Sequence, residues 1–355
     1  MRTASRAAIA CAAALWSFGS GIGLAQDESA KTRADFLRLI DRPRVPLAAQ
    51  TSMRRDSELY AAEHFSIASE AGERITGILM SRINRSELPG STIARRPAVV
   101  VLHGTGAKKE EQVALLRSLA DRGFVAVAID ARYHGERAHS DDSIADYTNA
   151  LLQAYRTGRG HPYMYDTVWD AMRLIDYLIA RADVDPARIG LMGLSKGGTE
   201  TYLTAAVDPR VAVAVPVIGV QGFRWALDHD AWQARAATFQ PALEGAAKDA
   251  GQANIDAALV RRFYARVAPG IDGPFDAPAM LPLIAPRALL VINGDSDPRT
   301  PLAGVQECVA SAERAYAAVH AQDKLGFYLQ PHAGHVFTPI AELVALDWLV
   351  KWLVP

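Results

Sequence analysis

Short, fully apolar runs alternate along the chain with stretches in which apolar residues recur at helical spacing. The runs "PAVVVL", "FVAVAI", "RIGLMGL" and "VAVAVPV" come in turn, and "RALLVING" and "LGFYLQ" come much later. Among them, "EEQVALLRSLADRG" and "MYDTVWDAMRLIDYLIAR" place apolar residues every three or four positions. Because buried strands alternating with amphipathic helices are typical of βαβ units, the pattern predicts an α/β fold with a mostly parallel central sheet covered by helices on both faces.

The same pattern divides the chain into segments. The first predicted strand is Arg74–Ile83, and residues 74–355 are expected to form the sheet domain. Residues 26–73 are expected to form an N-terminal extension, in which the polar, proline-containing stretch Asp27–Leu47 predicts a short helix at Phe36–Ile40 and an extended tail. Between residues 218 and 286 the alternation lapses into weak helical patterns with several aromatic residues, so we expect a helical cap inserted above the sheet.

Residues 1–25 differ from the rest of the chain. Arg2 and Arg6 precede an apolar stretch from Ala7 to Phe18, and small residues follow it. This order is that of a secretory signal peptide, so we expect export to the periplasm or the extracellular space. The apolar stretch is shorter than the roughly 20 residues that span a bilayer, and no later segment of the sequence is apolar and long enough to do so.

Composition narrows the classes of partner and cofactor. The 38 basic and 39 acidic residues give a formal net charge of -1 and do not form blocks, which argues against nucleic-acid binding and favours a small-molecule substrate. The sequence lacks the glycine-rich motifs of nucleotide-binding sites. Asp130, His134 and His139 share one loop, but their spacing fits no helix-based zinc site, so no metal or cofactor is expected. Composition carries no signal for an oligomeric state.

The motif "GLSKGG" (Gly193–Gly198) supplies a candidate nucleophile. It places G-x-S-x-G where a predicted buried strand meets a predicted helix, which is the arrangement of a nucleophile elbow. The turn is so sharp that side chains two residues either side of the serine would collide, and Gly193 and Gly197 occupy those places. Ser195 is therefore the candidate nucleophile.

A serine hydroxyl needs a base, and the base needs an acid that orients it. In a sheet of this kind both follow later strands, with the acid before the histidine. "NGDSDPRTP" follows the fifth buried run and offers Asp295 and Asp297, and "QPHAGHVF" follows the sixth and offers His332 and His335. Strand order alone leaves both aspartates and both histidines open.

Together with "HGTG" (His103–Gly106) and "DARYHGER" (Asp130–Arg137), these motifs resemble those of α/β-hydrolases, in the dienelactone-hydrolase and prolyl-oligopeptidase-like serine esterase group. The likeness runs from about Arg74 to the end of the sequence. It implies that the acid is the aspartate of a D-x-x-x-P run, Asp297, and that the base is the histidine of a G-H pair, His335. Asp295 and His332 would then mainly shape their loops.

The resemblance also implies an oxyanion hole. Its donors would be the backbone amide of Lys196, directly after the nucleophile, and that of Thr105 or Gly104 in the loop after an earlier strand. Removing one such donor typically costs about 10²–10³ in rate. The Lys196 side chain is expected to lie in solvent, and His103 is expected to hold the loop by hydrogen bonds rather than to act in catalysis.

These residues predict an exported serine hydrolase of carboxylic esters. Because the cap must lie over Ser195, Trp225 is expected to line the substrate pocket. A serine in place of the cysteine of dienelactone hydrolases argues against dienelactone chemistry. Two alternatives stay open. One is a prolyl-oligopeptidase-like peptidase, although the residues before Arg74 are too few for the β-propeller that such enzymes usually carry. The other is a non-catalytic protein that uses the same fold to bind a ligand.

Overall fold

The computed structural model describes residues 16–83 and 94–354, and these residues contain one sheet of nine strands. The strands are β1 (Gln50–Arg55), β2 (Tyr60–Glu70), β3 (Glu73–Arg82), β4 (Arg96–Leu102), β5 (Val125–Ile129), β6 (Val184–Leu194), β7 (Val211–Val217), β8 (Ala288–Gly294) and β9 (Leu325–Gln330). The α-helices are α1 (Trp16–Ile40), α2 (Val113–Ala120), α3 (Ser143–Thr157), α4 (Tyr165–Ile179), α5 (Lys196–Val207), α6 (Phe223–Asp228), α7 (Gln233–Ala236), α8 (Gln240–Asp249), α9 (Ala257–Val267), α10 (Ala277–Met280), α11 (Leu302–Ala318) and α12 (Pro339–Leu353).

The sheet has the strand order β1-β2-β3-β5-β4-β6-β7-β8-β9. The six strands from β5 to β9 in that order pair in parallel, whereas β1, β2 and β3 pair antiparallel with their neighbours. The α/β fold with a mostly parallel central sheet is therefore confirmed.

Helices cover both faces of the parallel strands, which explains their continuous apolar sequences. In β4, Val100 belongs to the core on the face of α4 and α5, while Val99 and Val101 belong to the core on the face of α2 and α12. All three valines are 0% exposed. Since neither face of such a strand meets water, neither face selects polar residues.

Two strands precede the one that the sequence predicted to be first. β1 and β2 form an antiparallel hairpin that pairs with β3, so residues 50–70 of the predicted N-terminal extension belong to the sheet edge. From Glu63 onwards in β2, buried residues alternate with partly exposed ones, and the buried face carries Glu63, Phe65, Ile67 and Ser69. A half-buried strand with a carboxylate and a serine on its inner face has a weak apolar signal, which is why the sequence pattern missed it.

The helix predicted at Phe36–Ile40 is the last part of the longer α1. Phe36 and Ile40 are buried, and Arg33 donates hydrogen bonds to the carbonyl oxygens of Ala206 and Leu283, each at 2.9 Å. This end of α1 therefore packs on the sheet domain. Of the predicted signal peptide, residues 1–15 lie outside the described residues. Within the described ranges, no helix has the length and apolar character that crossing a membrane requires.

The strand order reverses at β4, which has β5 on one side and β6 on the other. The helices that follow β4 and β6 lie on opposite faces of the sheet, α2 on one and α5 on the other. Such a reversal leaves a crevice at the carboxyl ends of the strands, where α/β sheets bind ligands. Residues 218–286, which we call the cap segment, carry α6 to α10 between β7 and β8.

A buried charge cluster fixes the loop that follows β5. Asp170 on α4 is 0% exposed and accepts hydrogen bonds from Arg132 at 3.1 Å and from Arg137 at 2.7 Å. Burial alone would raise the pKa of Asp170, but the two guanidinium groups together hold it well below its usual range. The cluster therefore ties the "DARYHGER" loop to α4.

Asp170→Asn should lower the free energy of unfolding by about 1–3 kcal/mol, because it removes the fully buried carboxylate that both guanidinium groups contact. Arg132 keeps its ion pair with Glu70 and Arg137 keeps that with Glu73, so neither cation is left uncompensated. Asp228→Asn is the control, since it breaks an ion pair with Arg261 in which both side chains are half exposed, and it should cost less than about 1 kcal/mol. Urea unfolding followed by circular dichroism measures both.

The cost of Asp170→Asn should also depend on pH. A carboxyl group whose pKa is lowered by folding stabilises the fold above its unfolded-state pKa of about 4, and this contribution is lost as the pH falls through lower values. The difference between wild type and variant should be complete at pH 7 and should shrink below about pH 4. A difference that persists unchanged at low pH, or one no larger than that of Asp228→Asn, contradicts this account.

Candidate active site

Ser195 occupies a sharp turn between the end of β6 and the start of α5. Its φ is 54°, a region that is unfavourable for residues other than glycine. The Ser195 amide donates to the carbonyl oxygen of Val217 at 2.9 Å, and its carbonyl accepts from the amide of Thr199 at 3.1 Å. These bonds hold the strained turn at the carboxyl edge of the sheet.

The glycines beside Ser195 are required by close backbone approach. A Cβ atom at Gly193 would lie 2.3 Å from the carbonyl oxygen of Gly197, and one at Gly197 would lie 2.2 Å from the carbonyl oxygen of Leu102. Both distances are too short for any side chain. The second contact also shows that the turn is pressed against the end of β4.

The structure brings Ser195, His335 and Asp297 together, although they follow three different strands. Nε2 of His335 lies 2.8 Å from Oγ of Ser195. Nδ1 of His335 lies 2.8 Å and 3.0 Å from the two carboxylate oxygens of Asp297. The three side chains therefore form one hydrogen-bonded line at the edge where the strands end.

The carboxylate of Asp297 is buried and is stabilised as a charge. Burial alone would raise its pKa, but the hydrogen bond from His335 lowers it, and the Thr300 hydroxyl and the Arg299 amide add to this. The Arg299 amide donates to Asp297 at 2.8 Å. The pKa of Asp297 is therefore below its usual value, as suits an acid that must stay ionised beside an imidazole.

Asp295 and His332, the second aspartate and histidine of these loops, meet each other rather than Ser195. The carboxylate of Asp295 accepts from the amides of His332 at 2.8 Å and of Ala333 at 3.1 Å. The contact joins the loop after β8 to the loop that carries His335.

The predicted oxyanion loop lies against the nucleophile. Gly104 follows β4, and a Cβ atom there would lie 3.6 Å from Cβ of Ser195. His103 holds this loop: Nε2 accepts from the amide of Ala131 at 3.0 Å, so the ring hydrogen lies on Nδ1, which donates to the carbonyl oxygen of Gly104 at 2.7 Å. Burial and the nearby charge of Lys196 lower the pKa of His103 to about 3, so its ring is neutral. The oxyanion roles of the Lys196, Thr105 and Gly104 amides stay predictions.

The expectation that the Lys196 side chain lies in solvent is wrong. The side chain is 3% exposed, and its Nζ lies 2.6 Å from the carboxylate of Glu200, one turn further along α5. Nζ also lies 5.9 Å from the ring centre of Tyr147. Because α5 is buried on all sides at this point, the ammonium charge of the lysine is compensated by an ion pair rather than by contact with water.

Trp225, predicted to bind substrate, lines a separate cavity of about 480 Å³ in which none of Ser195, His335 and Asp297 takes part. Its indole stacks on His229 with ring centres 4.3 Å apart, and Gly304 packs close to the same ring. The structure thus gives Trp225 packing partners and does not bring it to the serine. Its role in binding stays a prediction.

Other chemical groups near this edge are committed to structural contacts. Asp130 accepts from Nζ of Lys109 at 2.6 Å, and the ring of His134 packs between His103 and Tyr147. The described residues contain no group of three or more His, Cys, Asp or Glu side chains placed to hold a metal ion.

Arg235, on α7 of the cap segment, is a site residue that the sequence did not reveal. It is 2% exposed, and its Nη1 lies 3.2 Å from Oγ of Ser195. Nε donates to the side chain of Gln221 at 2.7 Å, and Nη2 donates to the carbonyl oxygen of Ile218 at 3.1 Å. Burial lowers the pKa of Arg235. One arginine among small residues in "WQARAATF" gives no signal that could have marked it.

The contacts of Oγ determine where the serine hydrogen points. A guanidinium group can only donate, so Oγ accepts from Arg235, and its hydrogen is left for Nε2 of His335. Nε2 must then be unprotonated, and the imidazole hydrogen lies on Nδ1, facing Asp297. This is the arrangement of protons from which a histidine can take the serine proton.

A family model described as glucuronyl esterase of fungi matches residues 85–320, more than half of the chain. Among curated proteins, YtaP of Bacillus subtilis (strain 168), described provisionally as a hydrolase, is 26% identical over 278 residues, which cover 75% of this chain and 81% of YtaP. The 4-O-methyl-glucuronoyl methylesterase 1 of Sodiomyces alcalophilus is 26% identical over 202 residues. The matched residues cover 54% of this chain and 39% of the methylesterase.

Among solved structures, an acetyl xylan esterase from Paenibacillus sp. R4 superposes with a TM-score of 0.61 at 19% identity, covering 92% of this chain and 93% of that chain. At this identity the likeness concerns the fold. The resemblance to α/β-hydrolase serine esterases is confirmed, and the matching family is narrower than the group that the motifs indicated.

Proposed function

The chain belongs to the glucuronyl esterase family, and we propose that it hydrolyses carboxylic esters with Ser195 as nucleophile, His335 as general base and Asp297 as the acid that orients the imidazole. Membership of the family makes it a carboxylic ester hydrolase. The observation that supports the mechanism is the line of hydrogen bonds from Asp297 through His335 to Ser195, with 2.8 Å contacts on both sides of the imidazole.

The reaction proceeds in two halves. His335 takes the hydroxyl proton while Oγ attacks the ester carbonyl, and the oxyanion that forms accepts hydrogen bonds from the amide of Lys196 and that of Thr105 or Gly104. The tetrahedral intermediate collapses when His335 gives the proton to the leaving alcohol, which leaves an acyl-serine. Water, deprotonated by the same imidazole, then attacks the acyl-serine, and the free acid is released as Oγ regains its proton.

Ser195→Ala should lower ester hydrolysis by at least about 10³-fold, because it removes the hydroxyl that Nε2 of His335 contacts and that the mechanism uses as nucleophile. The measurement is kcat/KM on a panel of short p-nitrophenyl esters, a glucuronic acid methyl ester and acetylated xylose, with wild type and variant. Undiminished turnover by the variant contradicts the mechanism. Cleavage of a proline-containing chromogenic peptide in preference to every ester favours the peptidase alternative.

Asp297→Asn should lower kcat by about 10⁴-fold, since an amide can donate to Nδ1 and stabilise the imidazole tautomer that cannot accept the serine proton. Asp295→Asn is the matched control in the same loop. Its carboxylate contacts the backbone amides of His332 and Ala333 and the Ser296 side chain, none of which touches the His335 imidazole, so kcat should change by less than about tenfold. If Asp295→Asn proves the more damaging of the two, the assignment of the acid is wrong.

We also propose that residues 1–25 are a signal peptide and that the enzyme acts in the periplasm or outside the cell, since basic residues, an apolar stretch and small residues follow one another there. Full-length protein expressed in a Gram-negative host should accumulate in the periplasm and begin at Gln26 on N-terminal sequencing. A chain lacking residues 2–25 is the control and should stay in the cytoplasm. Uncleaved full-length protein in the cytoplasm contradicts the proposal.

A further inference from the structure

Arg235 is a buried cation to which the proposed mechanism assigns no role. Its guanidinium group is bonded to the Gln221 side chain, the Ile218 carbonyl and the Ser195 hydroxyl, all of which are neutral. Among the described residues, no carboxylate lies within ion-pair distance of it. Asp297 is the acid whose charge acts on Arg235, but the oxygens of Asp297 are bonded to His335. Because buried charges are ordinarily paired, this cation indicates that a ligand supplies the anion.

The guanidinium group lies across Ser195 from the predicted oxyanion donors. β4 and β7 flank β6 on opposite sides. Gly104 follows β4, whereas Ile218, to which Arg235 is bonded, follows β7. Arg235 is therefore not placed as a further oxyanion donor, and it faces one of the two groups attached to the ester carbonyl.

The group that faces Arg235 is the acyl chain. The leaving alcohol must lie near Nε2 of His335, because that nitrogen returns the proton to it. Oγ is bonded to His335 and to Arg235 in different directions, as donor to the first and acceptor from the second. Of the three hydrogen bonds of Arg235, the one to Ser195 is partly buried and the others are fully buried, so the Nη1 end faces the opening of the site.

We infer that Arg235 forms a carboxylate-binding subsite for the acyl part of the substrate, so that the enzyme prefers esters of acids that carry a second, free carboxylate. The inference rests on the proposed function, since it takes Ser195 as the nucleophile. Of the five N–H donors of a guanidinium group, the three bonds leave two, one on each terminal nitrogen, and a carboxylate accepts such pairs. A carboxylate oxygen about 2.8 Å from Nη1 lies no more than about 6 Å from Oγ, which fits the two-methylene chain of a succinate monoester.

The test compares two esters of the same shape: monomethyl succinate and methyl levulinate, in which a methyl ketone replaces the carboxylate. Wild type should show the higher kcat/KM on monomethyl succinate. Arg235→Gln, which keeps a donor but removes the charge, should lower the ratio of the two kcat/KM values at least about tenfold, mainly through KM for the charged ester. Arg235→Lys should retain part of the preference. Arg262→Gln, an exposed arginine of the cap segment, is the control and should leave the ratio unchanged.

A second measurement uses wild type alone and does not depend on how the variants fold. Succinate should slow the labelling of Ser195 by a fluorophosphonate at concentrations at least about tenfold lower than levulinate, because only succinate brings a second carboxylate to Arg235. Equal protection overturns the subsite. The subsite is also overturned if Arg235→Gln lowers kcat/KM equally on both esters, because an equal loss indicates that the arginine only orients the hydroxyl.

The failure of the subsite and the failure of the proposed function give different results. If wild type hydrolyses methyl levulinate or other neutral esters through Ser195 but disfavours monomethyl succinate, the esterase mechanism stands and the subsite is wrong. If Ser195→Ala hydrolyses both methyl esters as fast as wild type, the mechanism itself is wrong.

Discussion

The close approach of Gly197 to the end of β4 fixes the position of Ser195 relative to the predicted oxyanion loop. Its backbone is pressed so near the carbonyl oxygen of Leu102 that no side chain fits between them. The first turn of α5 therefore rests on the loop that begins with His103, and Gly104 lies against Ser195 as a consequence. The hydrogen bond from the Ser195 amide to Val217 adds β7 to the same junction. These two backbone contacts thus set the spacing between Ser195, the predicted oxyanion amides and the start of the cap segment.

The two cations next to Ser195 have opposite environments. Lys196 points into the protein and is neutralised by Glu200, with neutral His103 on the same side. Arg235 comes from the cap segment, has neutral bonding partners and touches Oγ itself. An ion pair inside α5 exerts little net field at the opening, because its charges largely cancel. The uncompensated positive charge next to Ser195 is therefore that of Arg235.

The sequence predicted the parts of the site that depend on strand ends. Parallel strands end at one edge, so a serine after one buried run and acid and histidine candidates after two later runs had to converge there. Choosing Asp297 and His335 over their neighbours needed the family resemblance. The position of Arg235 depends on how a four-residue helix sits on the sheet, which no periodicity encodes. Lys196 was misjudged because lysine is rarely buried, although Glu200 four residues later was a visible partner.

The two buried hydrogen bonds of Arg235 would let it exchange its contact with Ser195 for the substrate contact that we propose. Ile218 and Gln221 belong to the same cap segment as Arg235, so the guanidinium group is held by its own segment whether or not Oγ accepts from it. The bond to Oγ is the longest of the three, at 3.2 Å. In the proposed acyl-serine this bond would be lost, and the other two would keep the arginine in place. Because the protein rather than the substrate holds the arginine in place, an arriving anion does not bear the entropic cost of ordering this side chain.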